Sequence, residues 1–83
     1  MQLDILSPEK KIYSGQVYGV QLPGAEGSFE ILEHHAPMIA SLKKGQMKIL
    51  IDKSTEELYE IGGGFLEILG NKASILVESA QAK

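Results

Sequence analysis

The sequence predicts an all-β protein, an antiparallel β-sandwich or flattened barrel of about 8 to 10 short strands. Apolar residues alternate with polar ones in short runs such as Leu3-Asp4-Ile5 and Ala73-Ser74-Ile75, which is the period of a strand with one buried face. Gly, Pro or Asn separates many of these runs. The one stretch with helical character, Glu30 to Leu42, has Pro37 in its middle, so we expect a loop followed by a strand there.

The alternation places strands, in chain order, near residues 2–6, 10–14, 16–22, 28–32, 38–42, 46–52, 57–62, 64–69 and 73–78. Ser7-Pro8 and Pro23-Gly24 predict turns, and Asp52 to Glu56 predicts a polar loop. Gly70-Asn71 is typical of a two-residue hairpin. Because hairpins join antiparallel neighbours, the pairing should be mostly antiparallel.

A single core is expected, because 83 residues provide for one domain and the sequence contains no internal repeat or linker. The core candidates occupy the alternating inward positions of the predicted strands. They are Leu3, Ile5, Val20, Leu22, Met47, Ile49, Leu66, Ile68, Ile75 and Val77.

Composition argues against several classes of function. All eight basic residues are lysine and the net charge is −3, which makes nucleic-acid binding an unfavourable hypothesis. Without cysteine there can be neither disulfides nor Cys-ligated zinc. No apolar run approaches the roughly 20 residues of a membrane span, so we expect no direct membrane insertion.

An acidic segment with two histidines is the strongest candidate for chemistry. Glu26, Glu30, Glu33, His34 and His35 fall within ten residues, and a small metal hydrolase could use such groups. Neighbouring side chains of an extended chain point to opposite sides, however, and no second spaced pair completes a ligand set. A solvated acidic loop or partner surface is therefore the favoured interpretation, and we predict no catalytic residue, metal or cofactor.

Two further patterns have both a structural and a functional interpretation. Gly62-Gly63-Gly64 could cradle a phosphate, but a strand follows where a helix would be needed, which favours a bulge or corner. Tyr13, Tyr18 and Tyr59 could stack on a sugar, although half-buried sheet positions are the commoner use of tyrosine. A stand-alone β-sandwich that binds a ligand or a protein stays open as an alternative function.

Three segments resemble the epsilon subunit of F-type ATP synthase: residues 3–15, 23–49 and 60–80. The most specific element is His35-Ala36-Pro37 followed by Leu42-Lys43-Lys44-Gly45, which is similar to the family signature GHAP…LKPG. The run from Gly63 to Glu67 is the second. The chain departs from the family pattern at Glu30, Glu33-His34 and Lys44, where the family usually has Gly, Pro-Gly and Pro, so the loop is more acidic than usual.

The resemblance implies a non-catalytic rotor subunit of the central stalk, bound to the gamma subunit and to the membrane c-ring and, through them, to the alpha/beta head. It would be peripheral, on the cytoplasmic side of the bacterial cell membrane. The resemblance places Ser28 and His35 at the c-ring, and we extend this hypothesis to Glu26, Glu30, Glu33 and His34. It places Ser7, Ala40 and Gly62 near gamma.

Members of this family commonly continue into a helical hairpin that inhibits ATP hydrolysis and in some cases binds ATP. The sequence ends at Lys83, so residues 1–83 would form a single epsilon-type sandwich domain from which the hairpin is absent. We accordingly expect neither ATP binding nor inhibition by a hairpin. The native-looking Met1 and the absence of a tag favour a naturally short chain, and a shortened one stays open as the alternative. The coupling ion and ring size are properties of other chains.

Overall fold

The computed structural model describes all 83 residues and contains eight strands and no helix. The strands are β1 (Gln2–Leu6), β2 (Lys11–Gln16), β3 (Gly19–Gly24), β4 (Gly27–Leu32), β5 (Met38–Leu50), β6 (Glu56–Leu69), β7 (Lys72–Val77) and β8 (Ala80–Ala82). No segment of the structure is a helix of the length and apolarity needed to cross a membrane.

Hydrogen bonds join the strands in the order β2-β1-β7-β6-β5-β3-β4, and β8 pairs with the first half of β6. Only the β1–β7 pair is parallel. The predicted all-β class with mostly antiparallel pairing is thus confirmed. Strands β2 and β4 lie at the two ends of this order, and each has one paired neighbour.

The two longest strands give the sheet its sandwich-like shape. Residues 38–42 and 46–52 were predicted as separate strands, as were 57–62 and 64–69, but each pair forms one continuous strand that pairs along most of its length. The prediction of separate strands is wrong because the pairing of β5 with β6 continues past Gly45 and past Gly62 to Gly64. The glycines instead let the paired strands turn a corner, where Gly63 and Gly64 adopt φ angles of 112° and 156°.

The glycine run is therefore structural, in agreement with the sequence prediction. A Cβ atom placed on Gly64 would overlap the carbonyl oxygen of Leu76 on the neighbouring strand β7. The amide of Gly62 donates a hydrogen bond to the carbonyl of Ser79 at 3.1 Å, and the carbonyl of Gly63 accepts one from Glu78 at 3.0 Å. No helix follows the run, because β6 continues to Leu69.

Turn predictions were right at one hairpin and wrong at another. Gly70 and Asn71 both have positive φ, 59° and 57°, as a type I′ hairpin requires. Pro23 and Gly24, by contrast, lie inside β3, and the turn falls on Ala25 and Glu26. Proline is tolerated there because the β3–β5 ladder is irregular between Gln21 and Gly24.

All ten predicted core side chains are buried, which confirms the inward face of the strands. Six further apolar residues complete the core: Met1, Val17, Ile31, Leu42, Ile61 and Ala73. No polar or charged side chain is fully buried, so apolar packing accounts for the core.

Candidate partner-binding surface

Strand β4 presents a stripe of outward side chains along one end of the sheet. Ser28, Glu30 and Leu32 alternate with Phe29 and Ile31, which face the core, so the first three share the solvent face. From Ser28 to Leu32 the stripe is roughly 13 Å long at the usual rise of a strand. Such a stripe suits an extended contact with another surface.

The predicted c-ring residues are distributed along this strand, not gathered in one place. Glu26 is exposed in the β3–β4 turn, whereas Glu33, His34 and His35 follow the other end of β4. All are exposed, and nowhere in the chain do three or more His, Asp or Glu side chains lie close enough together to hold a metal ion. The arrangement is that of an exposed polar edge.

The loop after β4 is anchored to the β6–β7 hairpin. The amide of His34 donates a hydrogen bond of 2.7 Å to Oδ1 of Asn71, and both residues have positive φ. Glu33 accepts a hydrogen bond of 3.3 Å from the amino group of Met1. Nδ1 of His35 lies 2.7 Å from the carbonyl oxygen of Ala36. These contacts hold the loop in place, and Glu33, His34 and His35 are nevertheless exposed to solvent.

The residues predicted to lie near gamma fall in two regions. Ser7 begins the β1–β2 turn, where its Oγ and backbone contact Lys10, and the next residue, Pro8, lines a depression with Leu42 and Gly64. Gly62 is at the same corner, paired with Lys44. Ala40 is half-buried elsewhere on β5, beside Phe29 and Met38.

An exposed apolar patch on the outer face of three strands was not predicted. Phe65 on β6 lies opposite Leu76 on β7, which in turn lies beside Leu6 on β1. Their exposed fractions are 61%, 56% and 39%. The sequence signal was available, because β6 carries apolar residues on both faces from Phe65 to Leu69. Contiguous exposed apolar surface is typical of protein interfaces.

The tyrosines occupy half-buried positions. Tyr13 lies on β2 and Tyr59 on β6, and Tyr18 lies in the link before β3. Burial raises the pKa of Tyr13 and Tyr59, and the negative charge of Glu57 raises both pKa values further. These two phenols therefore stay neutral at physiological pH. Half-buried packing is what the structural interpretation of the tyrosines predicted.

One carboxylate on the outer face is strongly partnered. Asp4 accepts hydrogen bonds from Ser14 at 2.7 Å and Gln2 at 3.0 Å, and Lys72 lies 3.5 Å away. The hydrogen bond from Ser14 makes the largest contribution to lowering the pKa of Asp4, followed by the one from Gln2. This cluster joins β1, β2 and β7, so its role is to support the sheet.

Comparison with known proteins identifies the family. All 83 residues match the family described as ATP synthase, Delta/Epsilon chain, beta-sandwich domain. The chain belongs to the ATP synthase delta/epsilon family. A protein of Chlorobium limicola named ATP synthase epsilon chain is 43% identical over 93% of this chain and 88% of its own length. One of Chlorobaculum tepidum with the same name is 42% identical over 92% of this chain and 86% of its own length.

Other epsilon chains are longer than the matched region. The ATP synthase epsilon chain of Protochlamydia amoebophila is 42% identical over 96% of this chain, but the match spans 54% of that protein. The epsilon-type sandwich is therefore the shared part of relatives that differ in length.

Solved structures support the epsilon-type fold. A chain of the Euglena gracilis mitochondrial ATP synthase, in a cryo-EM structure of OSCP, F1 and c-ring, superimposes with a TM-score of 0.90 at 20% identity. The alignment covers 96% of this chain and about half, 51%, of that one. A chain from the central stalk and c-ring structure of the Tetrahymena thermophila enzyme gives 0.81 at 19% identity, covering 98% and 65%. At these identities the likeness establishes a common fold.

Proposed function

We propose that this chain is a central-stalk rotor subunit of an F-type ATP synthase, which links the gamma subunit to the membrane c-ring. The observation that carries the proposal is the family match over the whole chain, together with epsilon-chain relatives at 42–43% identity. The neighbours in solved structures come from assemblies whose titles name the central stalk or the c-ring. In this role the chain supports the coupling of proton translocation to ATP synthesis and catalyses no reaction itself.

The contact with the c-ring is proposed along strand β4 and the loop that follows it. Ser28, Glu30 and Glu33 give this edge a polar and acidic character, and His34 and His35 add exposed imidazoles that can form hydrogen bonds. Contact with a ring requires many weak, complementary interactions spread over a long edge, and the exposed stripe suits this need. The hydrogen bond between His34 and Asn71 would keep the loop in place under load.

The contact with gamma is proposed near Ser7, Ala40 and Gly62. Ser7 and Gly62 lie at the corner of the sandwich that adjoins the apolar patch of Leu6, Phe65 and Leu76. Covering this patch would remove apolar area from water, which stabilises an association by about 25 cal/mol per Å² before entropy is subtracted. We place the apolar patch on the gamma side for this reason.

The chain would lie at the cytoplasmic side of a bacterial cell membrane as a peripheral subunit. It would reach the membrane through the c-ring and touch the alpha/beta head only through gamma. We further propose that residues 1–83 act as a single epsilon-type sandwich domain, which by itself neither binds ATP nor inhibits hydrolysis.

A pull-down of the tagged chain from native membranes at moderate salt tests the role. Recovery of gamma, the catalytic subunits and the c-ring is expected, with identification by mass spectrometry. A variant with Phe65→Ser and Leu76→Ser should lose gamma, whereas Lys53→Ser, in the exposed β5–β6 loop, should not. Recovery of none of these subunits would contradict the rotor role and favour a stand-alone binding module.

A further inference from the structure

Part of strand β5 forms an open edge. From Met38 to Ser41 this strand pairs with β6 on one side, whereas its ladder with β3 contains only Leu42 and residues 48–50. Strand β4, at the end of the sheet, likewise pairs with β3 alone. The structure therefore leaves a gap between these two strands, in which Met38 to Ala40 of β5 have no ladder partner.

Backbone groups of β5 point into this gap. The carbonyl of Ser41 accepts a hydrogen bond of 3.0 Å from Ala25, so it faces away from β6. Successive residues of an antiparallel strand direct their polar groups alternately to the two sides. The N–H and carbonyl of Ile39 consequently face the gap and are free to pair with an added strand.

The gap is also an apolar groove. Its volume is about 360 Å³, near the lower end of the range of roughly 300–1,000 Å³ for ligand pockets. Phe29, Met38 and Ala40 line it and pack against the core, and all three are half-buried. Ile39, on the outer face beside it, is 76% exposed and is the most exposed large apolar residue of the chain. An added strand would find apolar contacts on both of its faces.

The charges around the groove are negative. Glu26 lines it, Glu30 lies on the solvent face of β4, and Glu67 is paired directly with Ile39. The segment from Met38 to Leu42 contains no lysine, although lysine commonly protects an open edge. Lys43 lies beyond Leu42, where pairing with β3 resumes. The electrostatic complement of this groove is a segment that carries lysine or arginine.

We propose that this groove binds an extended, basic segment of a partner protein by strand addition to Met38–Ser41. The segment would place alternate apolar side chains over Phe29, Met38 and Ala40, and its other side chains would bring positive charge to Glu26 and Glu67. Its backbone would pair with Ile39. The inference rests on the proposed function, since Glu26 and Ala40 also belong to the proposed c-ring and gamma contacts, and it adds the binding chemistry of this edge.

The test uses the full 83-residue chain and a blocked octapeptide of alternating valine and lysine. Titration is followed in ¹H–¹⁵N spectra, and hydrogen exchange of the Ile39 amide is measured with and without peptide. We expect saturable shifts at Met38 to Ser41 and slower exchange at Ile39. An octapeptide of alternating valine and glutamate should bind with an affinity at least about tenfold lower, which corresponds to about 1.4 kcal/mol.

Two protein variants separate strand addition from simple charge attraction. Ile39→Pro removes the outward N–H at a position where an edge strand tolerates proline, and it should weaken peptide binding about tenfold. Ile39→Val is the matched control, because it keeps both the N–H and an apolar side chain, and it should bind within about threefold of the parent. If Ile39→Pro fails to fold, Ala40→Met, which fills the groove, replaces it and should also weaken binding.

Three results would overturn the proposal. Binding that Ile39→Pro and Ala40→Met leave unchanged would reduce the effect to attraction between a basic peptide and an acidic protein. The absence of saturable shifts would remove the site. Slowed exchange at Ile39 that depends on protein concentration without peptide, with a dimer in sedimentation, would make a second copy the occupant. The measurement uses the isolated chain, so its failure is distinct from a failure of the pull-down.

Discussion

Asn71 is predicted to stabilise the loop after β4, which contains Glu33, His34 and His35, in two separable ways. Its side chain accepts the hydrogen bond from the His34 amide, and its own φ of 57° lies in the left-handed region. Replacing it by alanine loses the hydrogen bond, about 0.5–1.5 kcal/mol, and adds a left-handed backbone cost of about 1–2 kcal/mol. The unfolding free energy of Asn71→Ala should therefore fall by about 1.5–3.5 kcal/mol.

Two further substitutions at this position divide the loss. Glycine tolerates positive φ, so Asn71→Gly should lose only the hydrogen-bond part, about 0.5–1.5 kcal/mol. Aspartate keeps an acceptor and also tolerates positive φ, so Asn71→Asp should be close to the parent. In a domain of this size each kcal/mol shifts the melting temperature by about 4–8 °C.

Urea unfolding followed by circular dichroism provides the free energies, and hydrogen exchange reports on the His34 amide. Exchange at His34 should be faster in Asn71→Ala and Asn71→Gly, and near the parent rate in Asn71→Asp. Equal stability of the alanine and glycine variants would refute the backbone part of the reasoning. Unchanged exchange at His34 in all three would refute the hydrogen-bond part.

Three other predictions concern the corner, the carboxylate cluster and nucleotide binding. Gly64→Ala should lower the unfolding free energy by about 2–6 kcal/mol. Overpacking against Leu76 and backbone strain each cost about 1–3 kcal/mol. A urea midpoint equal to that of the parent would contradict this. Asp4→Asn should lower the unfolding free energy at pH 7, and this loss should shrink as the pH falls below about 4. The reason is that the lowered pKa of Asp4 stabilises the fold only while the carboxylate is ionised. A difference in unfolding free energy between parent and variant that is the same from about pH 7 to about pH 2 would refute this. Calorimetry with millimolar ATP should show no saturable heat, because a strand and not a helix follows the glycine run.

Period-two alternation was sufficient to predict ten of the 16 core residues of this protein. Polar or exposed residues lie directly before and after each of the buried residues Leu3, Ile5, Leu66 and Ile68. Because successive side chains of a strand point to opposite faces, this alternation buries one face. The Gly70-Asn71 turn was likewise predictable, because few residue pairs accept two positive φ angles.

Strand continuity could not be predicted in the same way. A glycine run ends a strand in one context and bends it in another, and the choice depends on the pairing partner. At Gly62 to Gly64 the partner is β5, which pairs with Gly62 through Lys44 and with Gly64 through Leu42, and this long-range pairing has no local signal. The turn predicted at Pro23-Gly24 was misplaced for a related reason. Proline cannot donate a ladder hydrogen bond, but the β3–β5 ladder is irregular between Gln21 and Gly24, so Pro23 can lie inside the strand.

The proposed partner surface was partly visible in the sequence. The acidic residues and histidines near His35 were identifiable from composition and from the family resemblance, but their distribution along an edge strand required the fold. The patch at Phe65 and Leu76 was missed because alternation assigned these residues to the outer face of two separate strands without showing that the strands are neighbours. Only the register shows that both point outward together.

Site-specific photo-crosslinking in the assembled enzyme tests the rotor role most directly. A photoreactive amino acid is introduced at Ser28, at Ser7 and, as a control, at Lys53 in the exposed β5–β6 loop, and adducts from native membranes are identified by mass spectrometry. We expect adducts to the c subunit from Ser28 and to gamma from Ser7, and to neither from Lys53. Absence of both adducts in a chain that is folded and present in the membranes would contradict it.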